Sequence, residues 1–265
     1  MDHLDEQWRR FSAEFLEATG KVIASTGRKH LIGTGDAVKV GEEFKHYNSA
    51  WLFNEKGENT HIYNKIQIVP YGEYMPFKDM IPASWWTKLD EMRGMGTSLS
   101  RGENFSTFKI RDDVIIGINI CFEDCFPYVS HEFVKRGANV LVTLTNDSWF
   151  GLTSGGHQHT AQSIFRAIEN NLPLVRAGNT CESCLVMPDG TVTNLLVAED
   201  GSRFTRGYQI VDVPVITNPQ RTFYQKNPWF FRSIIIFGAC LIFAAILLHF
   251  FRKKATLAAA TEQSN

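Results

Sequence analysis

The chain alternates between segments with a helical period and short apolar runs that are typical of strands. The apolar residues of 4–19 recur at helical spacing with charges between them, which predicts an amphipathic helix. Further helices are predicted over residues 127–136 and 159–170. Apolar runs bounded by turn residues predict strands at 30–35, 48–53, 61–69, 105–110, 114–120, 138–145, 174–177, 184–188 and 207–213. Strands that alternate with helices predict an α/β fold with layers around one core.

A second pattern occupies the C-terminal part of the chain. Residues 233–251 form a run of 19 residues without Asp, Glu, Lys or Arg, about the length that crosses the roughly 30 Å hydrocarbon core of a bilayer. Aromatic residues at 229–231 precede the run, and the basic residues 252–254 follow it. This arrangement predicts a transmembrane helix with an interfacial aromatic belt. A buried core helix is the alternative.

These patterns predict four regions: a domain over residues 1–218, a linker with interfacial aromatics over 219–232, a transmembrane helix over 233–251 and a basic and polar tail over 252–265. The basic cluster after the helix predicts a cytoplasmic C-terminus, with the domain on the outer side of the membrane. The N-terminal residues are acidic and polar and do not form a secretory signal. We therefore expect upstream membrane segments that this chain lacks.

Composition narrows the classes of function. The chain has 27 basic and 28 acidic residues and a net charge of −1, which argues against a nucleic-acid partner. Its five cysteines are an odd number, so they do not form a disulfide framework. Cys181 and Cys184 have CxxC spacing, which alone is a weak metal signal; a disulfide and two unlinked cysteines at a strand start are the other readings. His157 and His159 are expected in a structural or substrate-facing loop, and we expect neither a metal nor a cofactor.

Cys121 is the strongest candidate for a reactive side chain. It follows the buried strand predicted at 114–120, and Glu123 comes two residues later. The junction between a strand and a turn is where α/β enzymes place nucleophiles, although an inert buried thiol is the default for a single cysteine. Lys65 lies towards the end of the strand predicted at 61–69, and Glu73 lies eight positions later beyond a Pro-Tyr-Gly turn. A lysine beside a thiol lowers the pKa of the thiol and stabilises an oxyanion.

The strings around these residues resemble a known family. Residues 65–77 contain Val-Pro-Tyr-Gly-Glu-Tyr, residues 121–123 read Cys-Phe-Glu, and residues 145–151 read Thr-Asn-Asp-Ser-Trp-Phe-Gly. His-Gln-His at 157–159, Arg-Ala-Ile-Glu at 166–169 and Arg-Ala-Gly-Asn at 176–179 extend the likeness. The chain resembles the nitrilase-like domain of bacterial apolipoprotein N-acyltransferases, within the carbon–nitrogen hydrolase superfamily. The likeness implies an α-β-β-α sandwich, incomplete at its start, followed by one transmembrane helix in the bacterial inner membrane.

The resemblance also implies an activity and roles for residues. Cys121 would form a thioester with an acyl group from a phospholipid, and the acyl group would pass to the N-terminal amine of a diacylglyceryl-cysteine lipoprotein. Lys65 would stabilise the oxyanion, Glu73 would orient groups at the active site, and Glu123 would be a supporting acid. Substrate-binding residues would be Tyr74, Asn146, Trp149 and Phe150. Residues 78–104 have no clear period, and Trp85 and Trp86 within them are expected in the core or in a loop that dips into the lipid surface.

One part of the family pattern has no counterpart. The family has a Glu-Lys-Cys triad, and its glutamate lies in a Trp-Pro-Glu type of string before the first long helix. Glu14 and Glu17 lie on the predicted helix itself, which is a different context, so the general base is not assigned. We expect a truncated or mis-started product. Two alternatives remain open: an amidase of the nitrilase type that acts on small amides, and an inactive remnant that binds lipid or lipoprotein.

Overall fold

The computed structural model describes residues 2–41, 43–77, 80, 82 and 98–262. The chain forms two compact units, Met1–Gln220 and Arg221–Asn265. The predicted tryptophan loop, with Trp85 and Trp86, lies outside the described residues.

The first unit begins with a helix and an antiparallel sheet. Helix α1 (Asp2–Thr26) is followed by strands β1 (His30–Val40), β2 (Glu43–Phe53) and β3 (Asn59–Asn64), which lie in the order β1-β2-β3. β1 and β2 pair along their whole length, from His30 opposite Phe53 to Val40 opposite Glu43. β3 pairs only with the second half of β2, residues 49–53. The far end of the β1-β2 hairpin therefore extends beyond the third strand.

The second sheet has six strands in the order β4-β5-β6-β7-β8-β9. Their bounds are β4 (Phe108–Arg111), β5 (Val114–Ile120), β6 (Val140–Asn146), β7 (Leu174–Asn179), β8 (Cys184–Val186) and β9 (Val192–Thr193). Strands β5, β6 and β7 are parallel, and the remaining pairs are antiparallel. Helix α2 (Pro127–Lys135) connects β5 to β6, and α3 (Gly155–Asn170) connects β6 to β7. The carboxyl ends of β5 and β6 thus open at the same edge of the sheet.

The two sheets pack face to face between outer helices. Successive residues of a strand point to opposite faces, and β2 follows this rule: Ala50 and Leu52 enter the main core with β5 and β6, whereas Trp51 and Phe53 pack with Ile23 of α1. On the opposite side, Leu141 of β6 packs with Ala167 of α3 in a further cluster. The order of layers is helix, sheet, sheet, helix, as the sequence predicts.

The second unit consists of α4 (Phe223–Lys226) and the long helix α5 (Phe230–Glu262). Within the described chain, one helical segment is long and apolar enough to cross a membrane: Phe230–Phe251, with 22 residues and a mean hydropathy of 2.7. None of this segment is buried in the protein. By length and composition it fits the predicted transmembrane helix.

Several predicted boundaries were wrong, for identifiable reasons. The strand predicted at 61–69 ends at Asn64, because the N–H groups of Ile66 and Gln67 donate to the Glu123 side chain and not to a neighbouring strand. No strand forms at 207–213, where the chain has no regular secondary structure. The strand predicted at 105–110 is β4, at Phe108–Arg111. Strands β1 and β2 are longer than predicted, because polar residues at the tip of their hairpin hide the apolar pattern that is typical of strands. Helix α3 begins at Gly155, so His157 and His159 lie in a helix rather than in a loop.

Candidate functional site

The candidate nucleophile lies where β5 ends. Ile120 is the last residue of the strand, and Cys121 opens a 3-10 turn over Cys121–Cys125 with φ at +50°. A residue other than glycine rarely adopts this left-handed conformation, and such backbone strain concentrates at functional sites. The thiol is half-buried and free. The strand and turn therefore present one accessible sulfur at the edge of the parallel sheet.

Glu123 is a buried acceptor at the centre of the site. Its Oε1 accepts hydrogen bonds from the Tyr63 hydroxyl at 2.8 Å, the N–H of Ile66 at 2.7 Å and the N–H of Gln67 at 3.0 Å. Its Oε2 accepts from the N–H of Ile120 at 2.8 Å. Burial raises the pKa of this carboxyl, and the four donors oppose that shift.

These bonds bring the two key segments together. Ile66 and Gln67 directly follow Lys65, whereas Ile120 directly precedes Cys121. One carboxylate therefore fastens the backbone beside the lysine to the backbone beside the thiol. Glu123, predicted as a supporting acid, has the environment of a residue that fixes the relative position of the two segments.

Lys65 and Glu73 form a buried ion pair. The Lys65 side chain is fully buried, and its Nζ lies 2.8 Å and 2.9 Å from the two carboxylate oxygens of Glu73. Glu73 Oε2 also accepts from the N–H of Val69 at 2.8 Å, and its Oε1 accepts from the amide of Asn48 at 3.4 Å. Two bulky residues of this loop, Tyr71 and Phe77, have positive φ values. The backbone of this loop is therefore strained where it places the Glu73 carboxylate against the Lys65 ammonium.

A second group of buried charges lies on the other side of Cys121. His159 of α3 has Nδ1 at 2.8 Å from Asp147 Oδ1 and Nε2 at 2.9 Å from Asp124 Oδ1. Arg176 of β7 donates to Asp124 Oδ2 at 2.9 Å and to Asp147 Oδ2 at 2.6 Å. All four side chains are buried. The two aspartates belong to the 3-10 turns that follow β5 and β6, so these ion pairs join the two turns.

The carboxylates determine the ionisation of the histidine. Burial alone would lower the pKa of His159, but the hydrogen bonds to Asp124 and Asp147 outweigh burial and raise the pKa to about 10. Burial would raise the pKa of Asp147, but its bonds to His159 and the charge of Arg176 lower it. The group therefore holds two positive and two negative charges at neutral pH.

The residues predicted to bind substrate lie at or near the ends of the same segments. Asn146 ends β6 and is exposed, and its side chain accepts from the N–H of Ser148 at 3.3 Å. Trp149 and Phe150 follow in the turn Asp147–Phe150 and are 73% and 38% exposed. Phe150 packs edge-on against His159, with 5.7 Å between ring centroids. Tyr74, next to Glu73, is partly buried.

Groups of possible metal ligands overlap with this site. Cys121, Asp147 and His159 have ligand atoms within 4.8 Å of one another, as do Asp124, Cys125 and His159. Arg176 and the proton of His159 already neutralise both aspartates, so a cation would have to displace them.

The other two cysteines of the domain, Cys181 and Cys184, are free and buried, which favours two unlinked cysteines over a disulfide.

The sequence indicated these charged residues but did not assign them a role. Asp147, His159 and Arg176 each lie in strings on which the family resemblance was based, and Asp124 follows Glu123 directly. Their contacts join residues that are between 12 and 52 positions apart. Spacing along the chain therefore gave no signal for the network.

Comparisons with known proteins agree with this fold. The carbon–nitrogen hydrolase family model matches residues 16–217. The chain belongs to the carbon–nitrogen hydrolase family. It is 35% identical over 196 residues to apolipoprotein N-acyltransferase 1 of Treponema pallidum (strain Nichols), covering 71% of this chain and 34% of that protein. Apolipoprotein N-acyltransferase of Geobacter metallireducens is 36% identical over 165 residues, covering 62% of this chain and 30% of the relative.

The likeness extends to the later part of the chain in other relatives. Apolipoprotein N-acyltransferase of Brucella suis biovar 1 is 28% identical over 248 residues, which cover 90% of this chain and 44% of the relative. The chain thus spans between 30% and 44% of the length of these three relatives.

Replacement of Glu123 by glutamine should destabilise the domain. The amide of Gln would direct an N–H₂ group at buried donors and leave at least one of them without an acceptor, which costs about 3 kcal/mol. We expect the free energy of unfolding, measured by denaturant titration of the full chain in detergent, to fall by that order. Glu103→Gln, at an exposed glutamate, is the matched control. Equal stability of the two variants would contradict the role of Glu123.

Ionisation of His159 should make stability depend on pH. The folded protein raises the pKa of His159 from 6.5 to about 10, so this stabilisation is complete below pH 6.5 and is lost as pH rises towards 10. We expect the free energy of unfolding to fall by up to about 1.4 kcal/mol per pH unit between roughly pH 7 and 8.5. His159→Gln should flatten this slope, and His157→Gln should retain it. The same slope in all three proteins would disprove the assignment.

Proposed function

We propose that this chain carries the thiol chemistry of a lipoprotein N-acyltransferase. The Cys121 thiolate attacks the ester carbonyl of a phospholipid, a thioester forms, and the lysophospholipid leaves as an alcohol after it takes up a proton. The N-terminal amine of a diacylglyceryl-cysteine lipoprotein then attacks the thioester. An amide forms, and the Cys121 thiol is regenerated, so the scheme has two steps through a covalent intermediate.

The bonds of Glu123 are the observation that best supports this proposal. They connect the segment of Lys65 to the turn of Cys121 inside a buried, hydrogen-bonded core. If these backbone contacts bring the Lys65 ammonium beside the thiol, it would stabilise the oxyanion that forms on the attacked carbonyl. Glu73 accepts hydrogen bonds from the Lys65 ammonium through both carboxylate oxygens, and we propose that it orients the ammonium.

Exposed aromatic side chains near the site suit a lipid substrate. Trp149 and Phe150 are exposed and belong to the turn that follows β6. The buried charges around His159 join this turn to the Cys121 turn, and the Phe150 ring packs against His159. Large rings with a polar edge favour the boundary between headgroups and acyl chains. We assign Trp149, Phe150 and Tyr74 to the acyl chain or headgroup and Asn146 to a polar group of either substrate. A membrane-spanning Phe230–Phe251 segment would keep the domain at the bilayer surface.

A thioester on Cys121 is the decisive test. The full chain in detergent, incubated with phospholipid vesicles, should gain the mass of one acyl group, and neutral hydroxylamine should remove it. Cys121→Ala should gain no adduct. Cys125→Ser, four residues further along the same turn, should still gain it. Absence of a removable adduct on the wild type, or its persistence in Cys121→Ala, would refute the proposal.

Family membership also supports a second candidate, an amidase that hydrolyses small amides. The same thiol and lysine would then form an acyl enzyme that water cleaves. Release of ammonia from soluble amides, with no acyl adduct from phospholipid, would favour this function instead.

We further propose that the domain lies on the outer side of the bacterial inner membrane and that the C-terminal tail is cytoplasmic. The basic residues at 252–254 support this orientation. Cysteines introduced as Ser264→Cys in the tail and Glu199→Cys in the domain should separate the two sides. Both would be placed in a Cys121→Ala, Cys125→Ser background, which removes the two half-buried native thiols of the domain. On intact spheroplasts, a membrane-impermeant maleimide should then modify only the introduced domain cysteine, whereas lysis should expose both. Labelling of the tail before lysis would reverse the orientation.

A further inference from the structure

The buried charges around His159 are not used by the proposed acyl transfer. Both ring nitrogens of His159 lie within hydrogen-bonding distance of carboxylate oxygens, which can only accept. Both nitrogens are placed to donate to these oxygens, which fits an imidazolium, and the two carboxylates raise the pKa of the ring to about 10. Arg176 Nη2 lies 3.2 Å from Nδ1 of this ring. Asp124 and Asp147 each contact both His159 and Arg176, and their negative charges offset the repulsion between the two cations. The group is neutral as a whole.

The imidazolium reaches the candidate nucleophile. Nε2 of His159 lies 3.3 Å from the carbonyl oxygen of Cys121. The Cys121 sulfur, a ring nitrogen of His159 and a carboxylate oxygen of Asp147 all lie within 4.8 Å of one another. The hydrogen bond to the carbonyl supports the residue whose backbone has a positive φ. The buried charges lie close enough to act on its half-buried sulfur.

The same histidine also contacts the turn that follows β6. Asp147 opens that turn and accepts from the hydroxyl of Thr145 at 2.7 Å as well as from His159. Phe150, at the end of the turn, packs against the ring. His159 thus lies between the turn of the thiol and the turn that carries the exposed aromatics.

We propose that His159 is a positioning residue whose imidazolium fixes the Cys121 turn and whose charge, balanced against Asp147, sets the pH at which the Cys121 thiol becomes reactive. His159 is not proposed to touch substrate. The inference depends on the proposed function only in taking Cys121 as the reactive thiol.

Charge balance gives the inference a sign. The charged and titratable groups facing His159 come from the thiol turn, the second turn, β7 and its own helix: Asp124, Cys125, Asp147, Arg176 and Arg166, which donates to the carbonyl of Asp124. His159→Gln leaves one net negative charge near the sulfur, which disfavours the thiolate. Asp147→Asn leaves one net positive charge, which favours it. The double variant is again neutral.

The rate of alkylation of Cys121 tests this balance without any acyl substrate. The full chain in detergent would be treated with iodoacetamide between pH 6 and 9.5, and modification of the Cys121 peptide would be followed by mass spectrometry. Relative to the wild type, we expect the pH of half-maximal rate to rise by about one unit in His159→Gln and to fall by about one unit in Asp147→Asn. The double variant should return towards the wild-type value. His157→Gln, on the same helix but bonded to Glu182, should leave it unchanged.

Opposite shifts distinguish a charge effect from simple loss of structure. A purely structural role predicts that both single variants change in the same direction and that the double variant is worse than either. Shifts of the two single variants in the same direction, a double variant that departs further from the wild type than either single variant, or no shift of the pH of half-maximal rate in either single variant would overturn the inference. If His159→Gln does not fold, as judged by its melting curve, Asp147→Asn alone decides, and an unshifted profile would refute the inference. Normal alkylation shifts without any phospholipid adduct would refute the acyltransferase proposal and leave this one intact.

Discussion

The Glu123 carboxylate is the interaction on which the rest of the site depends. It is fully buried, and such a group is stable only when its oxygens are occupied by donors. Here the donors come from three places: the N–H at the end of β5, the N–H groups of the chain after β3, and the Tyr63 hydroxyl within β3. One side chain therefore satisfies otherwise unpaired backbone N–H groups and determines how the first sheet meets the second at its functional edge.

The neighbouring charges are arranged as two separate neutral groups. Lys65 and Glu73 form one pair, and Asp124, Asp147, His159 and Arg176 form the other group. Buried ion pairs contribute little net stability, because desolvation offsets most of their attraction, but loss of one partner is strongly destabilising. The groups are therefore better understood as devices that fix geometry and local electrostatics than as a source of folding free energy.

The sequence was sufficient for the α/β layering and for the order of elements up to β8, because buried strands such as 114–120 and amphipathic helices have strong periods. It also marked Cys121, Lys65 and Glu123 as candidate site residues, since each lies in a distinctive string near the end of a strand, and their roles stay a prediction. It could not locate the end of β3, because the N–H groups after Lys65 bond to Glu123, a side chain more than 50 positions later in the chain. Nor could it reveal the His159 group, whose contacts are defined only by the folded arrangement of β5, β6, β7 and α3.

The sequence separation of these contacts affects when the site can form. Glu123 bonds to residues 57 and 60 positions earlier in the chain, and Asp124 bonds to Arg176, 52 positions later. Contacts between distant positions form late in folding, because closing long loops costs entropy before the contacts stabilise the chain. The charges beside the thiol are therefore complete only after β7, which carries Arg176, has joined the sheet. A chain still being synthesised would carry Cys121 as an ordinary thiol, and its special environment would arise only in the completed domain.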